Sequence, residues 1–290
     1  MDITLQSKPL KAGLYIVATP IGNLKDISLN ALETLMSADV ILCEDTRVSK
    51  KLLNAYGISK PLQALHDHNE EQKSAYILEK ITAGQSLALI SDAGTPLISD
   101  PGYKLVQILS GHGVYITHIP GASSLNTALV LSALPSDRFI FLGFVPAKSH
   151  SKKQFLQEVN QLDCTSIMLE SPHRILDTLN EMRQIFDDTR QISLCRELTK
   201  RYEEVLRMNA AALSDYGNAQ GGFKGEITLV VAPKGAGDTE IDVDSLLREA
   251  LANYRIKDAT HIVAEATGIS KKQLYQRAIE LKESQGSEQD

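Results

Sequence analysis

Short apolar runs, each followed at once by a polar turn and then by a stretch of helical spacing, recur through the first half of this chain. They constrain its fold more than any other feature. The clearest unit is Ser86-Leu87-Ala88-Leu89-Ile90 followed by Ser91-Asp92-Ala93-Gly94-Thr95-Pro96. A run so short and so apolar reads as a strand buried on both faces of a parallel sheet. A polar turn with Gly and Pro at the carboxyl end of such a strand is where an open α/β sheet takes its ligands. Asp100-Pro101-Gly102 follows, then a helix-like stretch from Tyr103 to Leu109, with Pro preset for a helical first turn. The same rhythm predicts strands at 14–18, 40–43, 61–65 and 114–119. Their turns are Thr19-Pro20-Ile21-Gly22-Asn23, Glu44-Asp45-Thr46-Arg47, His66-Asp67-His68-Asn69-Glu70 and Pro120-Gly121-Ala122-Ser123-Ser124. Polar groups thus gather at one edge of one sheet, and a small-molecule site is expected there.

Near residue 135 the rhythm widens. Strand-like runs at 138–142, 167–169, 191–195 and 226–231 alternate with helical stretches, which predicts a second, α+β domain with a mixed sheet. The resulting organisation is a loose tail over 1–12, an α/β domain over 13–134, an α+β domain over 135–233, a linker over 234–242 and a helical appendage over 243–290. Gly235-Ala236-Gly237-Asp238 reads as linker by composition. In the appendage Ala259, Ile262, Val263 and Ala266 share a helical face, Gly268 interrupts, and Leu274, Tyr275, Ala278 and Ile279 resume. Two short helices about a Gly turn make a helix-turn-helix pattern.

Bulk properties narrow the function. With 290 residues, 43% of them hydrophobic, the chain can bury ample core. A net charge of −6 argues against a generic nucleic-acid coat but leaves room for a local basic face. Cys43, Cys164 and Cys195 are scattered and odd in number, which gives neither a disulfide framework nor zinc spacing and fits a reducing cytoplasm. No apolar run has the length of a membrane span, and the first residues lack a signal-peptide pattern. There is no GxxxxGK[ST] loop, no GxGxxG after the first strand and no GxSxG frame around Ser123. His66 and His68 share a face of an extended segment, but no third ligand set accompanies them, and no metal is expected.

Each turn also has a plain structural reading. Asp92 and Thr95 suit a turn, Ser123 and Ser124 suit helix N-caps, and Glu44, Asp45 and Arg47 suit a surface ion pair. Arg196, Glu197 and Lys200 suit an internal salt-bridge cluster as well as a phosphate contact. Lys271, Lys272 and Arg277 suit the solvated face of a helix as well as an RNA-docking one, and Lys148-Ser149-His150-Ser151-Lys152-Lys153 suits a local positive surface.

The motifs taken in order carry a resemblance. The turns 18–24, 44–47, 65–70, 91–96, 100–103 and 120–121 continue with Leu134-Pro135-Ser136-Asp137-Arg138-Phe139, Glu170-Ser171-Pro172-His173-Arg174, Arg196-Glu197-Leu198-Thr199-Lys200 and Lys224-Gly225-Glu226. From about residue 13 to its end the chain resembles the tetrapyrrole methylase superfamily, in its branch that acts on ribosomal RNA. The resemblance implies a two-domain α/β fold with S-adenosylmethionine in the cleft between the domains, usually in a homodimer. It implies 2′-O-methylation of the ribose of cytidine 1402 in 16S rRNA, with the small ribosomal subunit as partner. Gly94-Thr95-Pro96 stands where many members have Gly-Asp-Pro, so a charged cofactor contact becomes neutral. Ile98, Ser123 and Ser124, together with Pro20, Leu169, Cys195 and Gly225, are implied as further cofactor-lining positions.

Methyl transfer to a ribose hydroxyl is an in-line displacement that gains from alignment and from a positioned base. Asp45, His66 and Glu170 are the candidates for that base, and alignment alone is the other reading. Arg47, His173, Arg174 and Lys200 are the candidates for RNA phosphates. Two other functions fit the residues: methylation of a small molecule such as a tetrapyrrole, and noncatalytic binding to the ribosome.

Overall fold

A computed structural model of the chain describes residues 5–66, 70–235, 243–267 and 270–286. They form two compact units, Met1–Lys234 and Gly235–Asp290. Of the turn His66-Asp67-His68-Asn69-Glu70, residues 67–69, and with them His68 of the expected pair, lie outside the described residues.

The first unit holds two sheets. The first contains β1 (Gly13–Val17), β2 (Val40–Cys43), β3 (Leu62–Ala64), β4 (Ser86–Ile90) and β5 (Ile116–Ile119), in the order β3-β2-β4-β1-β5 with every pair parallel. Alternate residues of one strand feed opposite cores, as the pleat requires. Tyr15 and Val17 pack with Leu32, Leu35 and Ile41 on one face, and Leu14 and Ile16 pack with Ile77, Leu105 and Leu109 on the other. Helices cover both faces: α1 (Leu29–Ser37), α2 (Thr46–Ala55), α3 (Glu70–Thr82) and α4 (Tyr103–Gly111). Their starts are written locally. The side chains of Ser28 and Asp45 cap α1 and α2 by accepting from the N–H groups of Ala31 and Arg47. Glu70, buried, accepts the Leu105 N–H at 2.5 Å in the first turn of α4. Residues 5–12, expected as a loose tail, run along α1: Leu5 and Leu10 pack on its core, and Gln6 N–H donates to Glu33.

The second sheet contains β6 (Phe139–Phe144), β7 (Thr165–Glu170), β8 (Ile192–Arg196), β9 (Glu204–Met208) and β10 (Ile227–Val231), in the order β6-β7-β10-β8-β9. Only the β6–β7 pair is parallel, so the sheet is mixed, as expected. β9 was not legible in the sequence: it is an edge strand of half-buried residues with no clean alternation. One face of this sheet packs α6 (Ser149–Gln161), α7 (Ile175–Ile185) and α8 (Ala210–Ala219). The other packs α5 (Ser124–Ser132), whose Ala128 and Leu129 meet Ile167, Cys195 and Val230 together with Ile21 from the loop after β1. That cluster joins the two sheets.

Among the described residues the second unit has three helices where the sequence suggested two: α9 (Val243–Asn253), α10 (Ile256–Thr267) and α11 (Lys271–Gly286). Leu247, Val263, Leu274, Ala278 and Leu281 form its core. Ala259 and Val263 are buried as expected, while Ile262 and Tyr275 are exposed. Among the described residues no helix is long and apolar enough to cross a membrane.

Candidate active site

Parallel strands place all their carboxyl ends at one edge, and here the loops at that edge are pinned to one another. Thr19, after β1, exchanges two backbone hydrogen bonds with Gly94, after β4, at 2.8 and 3.1 Å. Gly94 has φ +81°, which a side chain would strain. The Thr95 hydroxyl donates to the Ala122 carbonyl, after β5, at 3.4 Å. Ser123 caps α5, as its sequence context suggested. The three loops thus form one floor.

The second sheet supplies the opposite wall. β10 runs antiparallel to β7 and β8, so it starts where they end, and Ile227 pairs with both Glu170 and Arg196. Between floor and wall lies a cleft of about 410 Å³, within the size range of cofactor pockets. Its apolar lining is Ile21, Ile98, Phe144, Leu169, Leu198 and Ile227, and its polar groups include Ser99, Asp100, Ser124, Glu226 and Thr228.

Two cleft residues, Ile98 and Leu198, are each flanked by left-handed, non-Gly backbone. Leu97 and Ser99 have φ of 73° and 63°, and Glu197 and Thr199 have 51° and 63°. Such conformations cost about 1–3 kcal/mol each and persist only where the surroundings enforce them. Around Leu198 the enforcement is visible. Glu197 accepts from the Lys200 ammonium at 3.0 Å and from the Glu226 N–H at 3.1 Å, and Lys200 also reaches Glu226 at 3.2 Å. A Cβ on Gly225 would meet the Glu197 carboxylate at 2.2 Å, so only Gly admits it. Asn23 N–H donates to the Thr199 hydroxyl at 3.1 Å, and a Cβ on Gly22 would meet the Leu198 carbonyl at 2.9 Å. The first loop therefore seats directly on the Leu198 segment. Burial alone would raise the Glu197 carboxyl. The Lys200 ammonium, the Glu226 N–H and the Arg196 charge outweigh it and hold the group below its ordinary value. Burial likewise opposes the Lys200 charge, but Glu197 and Glu226 win and raise its pKa.

Glu170 lines the cleft, yet its side chain is fully buried and both oxygens are engaged. Arg174 reaches one at 2.6 Å, the Ser171 N–H donates to the same oxygen at 2.7 Å, and the Thr178 hydroxyl donates to the other at 2.6 Å. Asp45, the N-cap of α2 after β2, is not among the residues that line the cleft. Arg47 hydrogen-bonds it from both side chain and backbone and lowers its pKa to about 2. The Arg47 guanidinium is at the same time 87% exposed. Asp92 accepts the Asp45 N–H at 3.2 Å, and burial, then the Asp45 charge, raises its own carboxyl.

Of the residues singled out for the cofactor, Ile98, Ser124, Leu169 and Gly225 line the cleft. Pro20, Gly94, Thr95, Pro96 and Ser123 lie in the loops of the floor, outside the lining itself. Cys195 is buried in the apolar cluster beneath α5, and burial pushes its thiol up to about 12, so it behaves as an apolar group. His66 follows β3, at the far edge of the sheet from the cleft, and His173 is exposed in the turn before α7. Lys200 and Arg174 are spent on internal ion pairs, and so is Lys152, which is buried against Asp177. In the second unit Arg277 pairs with Asp244 and Glu280. Sequence reasoning missed Ile21, Phe144 and Leu198 as lining residues; nothing in an isolated apolar side chain distinguishes a cleft from a core. Among the described residues no group of His, Cys, Asp and Glu has metal-binding geometry.

A parallel sheet and a mixed sheet close on a cleft between their strand ends, and the sequence places this arrangement among the methylases. Residues 13–214 match the family of Tetrapyrrole (Corrin/Porphyrin) Methylases, and residues 237–282 match the RsmI C-terminal HTH domain. The chain is 44% identical to Ribosomal RNA small subunit methyltransferase I of Mesorhizobium japonicum, over 97% of this chain and 96% of that one. It is 46% identical to the protein of the same name from Haemophilus influenzae, over 91% and 95%. The chain belongs to the ribosomal RNA small subunit methyltransferase I family of tetrapyrrole methylases. Solved structures share the fold: diphthine synthase, at TM-score 0.59 and 18% identity over 76% of this chain and 89% of that one, and uroporphyrin-III-C-methyltransferase from Thermus thermophilus, at 0.53 and 18% over 76% and 94%.

Proposed function

We propose that this protein methylates 16S rRNA in the small ribosomal subunit with S-adenosylmethionine, at the ribose 2′-hydroxyl of cytidine 1402. The observation that carries the reading is near full-length identity above 40% to proteins named for small-subunit rRNA methylation, combined with a cleft of cofactor size between the strand ends of two sheets.

The cleft suits the cofactor chemically. Ile98, Leu169, Leu198 and Ile227 offer apolar contact for a flat adenosine, Ser124 and Thr228 offer hydrogen bonds, and Asp100 and Glu226 offer negative charge to a cation. A neighbour in fold, a uroporphyrin-III C-methyltransferase, was solved with S-adenyl homocysteine. Bound there, S-adenosylmethionine would supply a methyl group made electrophilic by its sulfonium. The chain's own residues then have to align the attacking oxygen and exclude water.

Of the three candidate bases, Glu170 is held by Arg174 and Thr178, and Asp45 by Arg47 at a pKa of about 2. His66 stands after an edge strand. A general base works best with a pKa near the operating pH, so we assign the rate to alignment. We assign Arg47 and His173, both exposed, to RNA phosphates. Arg174 and Lys200 serve instead to hold the Glu170 and Leu198 walls. The chain acts as a homodimer. β6 is an edge strand with Phe139 48% exposed, and α5 turns Val130, 81% exposed, outward; a second copy would cover both. The setting is the cytoplasm, where ribosomes are assembled.

Mass spectrometry of nuclease digests tests the site. After transfer to unmodified small subunits, the methyl should sit on the ribose of that one cytidine. A methyl on a base, or on another nucleotide, would overturn the assignment.

A further inference from the structure

Phe144 is large, apolar and 57% exposed, yet it forms part of the cleft wall. Its placement comes from a break in β6. Parallel partners point to the same face of a sheet, and in β6 the pairs are Phe139 with Thr165, Phe141 with Ile167 and then Phe144 with Leu169. Three residues of β6 therefore oppose two of β7. Under strict alternation Phe144 would share the face of Leu142, which packs against the core beneath α6 and α7. The extra residue, next to Gly143 at φ +70°, returns Phe144 to the face of Ile167 and Leu169, the cleft side. Val145 follows on the core face, buried. Bulges of this kind re-aim single side chains beside active sites.

The residues that follow the ring point to its occupant. Four residues on, at most about 14 Å of extended chain, Lys148 stands at the N-cap of α6 with no side-chain capping bond. Lys148 and Lys153 are both exposed, and the positive end of a thirteen-residue helix lies between them. An exposed aromatic ring followed by cations is the combination that holds unpaired nucleotides, with bases on the ring and phosphates on the charges. Proteins that recognise RNA in a sequence-specific way commonly stack an unpaired base on an aromatic side chain.

We propose that Phe144 is a positioning residue: its ring stacks on the target nucleobase of the RNA and presents the attached ribose to the cofactor cleft. This rests on the rRNA methyltransferase reading above.

The test compares Phe144→Ala, Phe144→Leu, Phe144→Tyr and Phe144→Trp with the wild type. Methyl transfer to unmodified small subunits, S-adenosylmethionine affinity by calorimetry and oligomeric state by sedimentation are measured for each. Loss of one stacking contact should lower kcat/KM for Phe144→Ala and Phe144→Leu by roughly ten- to a hundredfold. Tyr and Trp should restore it, while cofactor affinity and oligomeric state stay unchanged. Full activity in the Leu variant would overturn the proposal in favour of a merely apolar wall. A matching loss of cofactor affinity would make Phe144 a cofactor contact, and dissociation into monomers would make it an interface residue; either overturns it. Absence of transfer by the wild type would be a different failure, that of the rRNA reading, and this inference would fall with it.

Discussion

Glu170 shows how burial reassigns a residue. A carboxylate at a strand end reads as a candidate base, but its side chain is fully buried and three donors hold it. Arg174, a natural candidate for RNA phosphate, is the cation that pairs with that carboxylate at 2.6 Å. Breaking a buried pair by removing one partner costs about 3 kcal/mol. Arg174→Ala should therefore lower the melting temperature and weaken cofactor binding together. An unchanged melting temperature with a loss confined to RNA affinity would return Arg174 to the RNA surface. Asp45 gives a second prediction. Held at about 2 by Arg47, it is ionised throughout the working range. The pH profile of methyl transfer between roughly pH 5 and 9 should then keep its shape in Asp45→Asn. An inflection lost in that variant would identify Asp45 as the titrating base.

The segment 197–203 shows what an element needs beyond its own sequence. Arg196-Glu197-Leu198-Thr199-Lys200 reads equally as a salt-bridge cluster and as a phosphate contact. Its partners Gly22, Asn23 and Glu226 are distant in sequence, so only the fold decides. The network has a pH window. Glu197 is depressed below its usual value, so its contribution is complete above about pH 4.5 and is lost as pH falls through its lower, folded value. Lys200 is raised, so its contribution is complete below its ordinary value and is lost as pH rises through the folded one. Hydrogen exchange of residues 197–203 should stay slow, after correction for intrinsic rates, across the neutral range and quicken below about pH 4. Glu197→Gln should show the quickened exchange already at pH 7, and its failure to do so would remove the network from control of the Leu198 wall. The strands tell the complementary story. β1, β2 and β4 are buried on both faces and announce themselves as apolar runs. β9, at an edge, carries Glu204 and Arg207 and does not. The bulge in β6 was equally silent, because Gly143 inside an apolar run marks a break without saying which way the next side chain turns.

At the scale of the molecule, two sheets with separate cores meet along one cluster, and the cleft opens where both end their strands. The alternation of strand and helix made that architecture legible; which loops touch across the cleft was not, since such contacts join residues more than a hundred positions apart, as Asn23 and Thr199 are. The proposed homodimer belongs to this scale. Val130→Glu combined with Phe139→Glu alters exposed side chains, whose replacement in a monomer changes stability by only about 0.5 kcal/mol. Sedimentation should show the wild type as a dimer at micromolar concentration and the variant as a monomer that stays folded. A wild-type monomer would end that assignment. The central claim, methylation of small-subunit rRNA, is tested most directly by offering labelled S-adenosylmethionine with small ribosomal subunits that lack the native modification. Label in the 16S rRNA, mapped to the ribose of the decoding-region cytidine, is the predicted result. No label in the RNA, from protein shown by calorimetry to bind the cofactor, would contradict it.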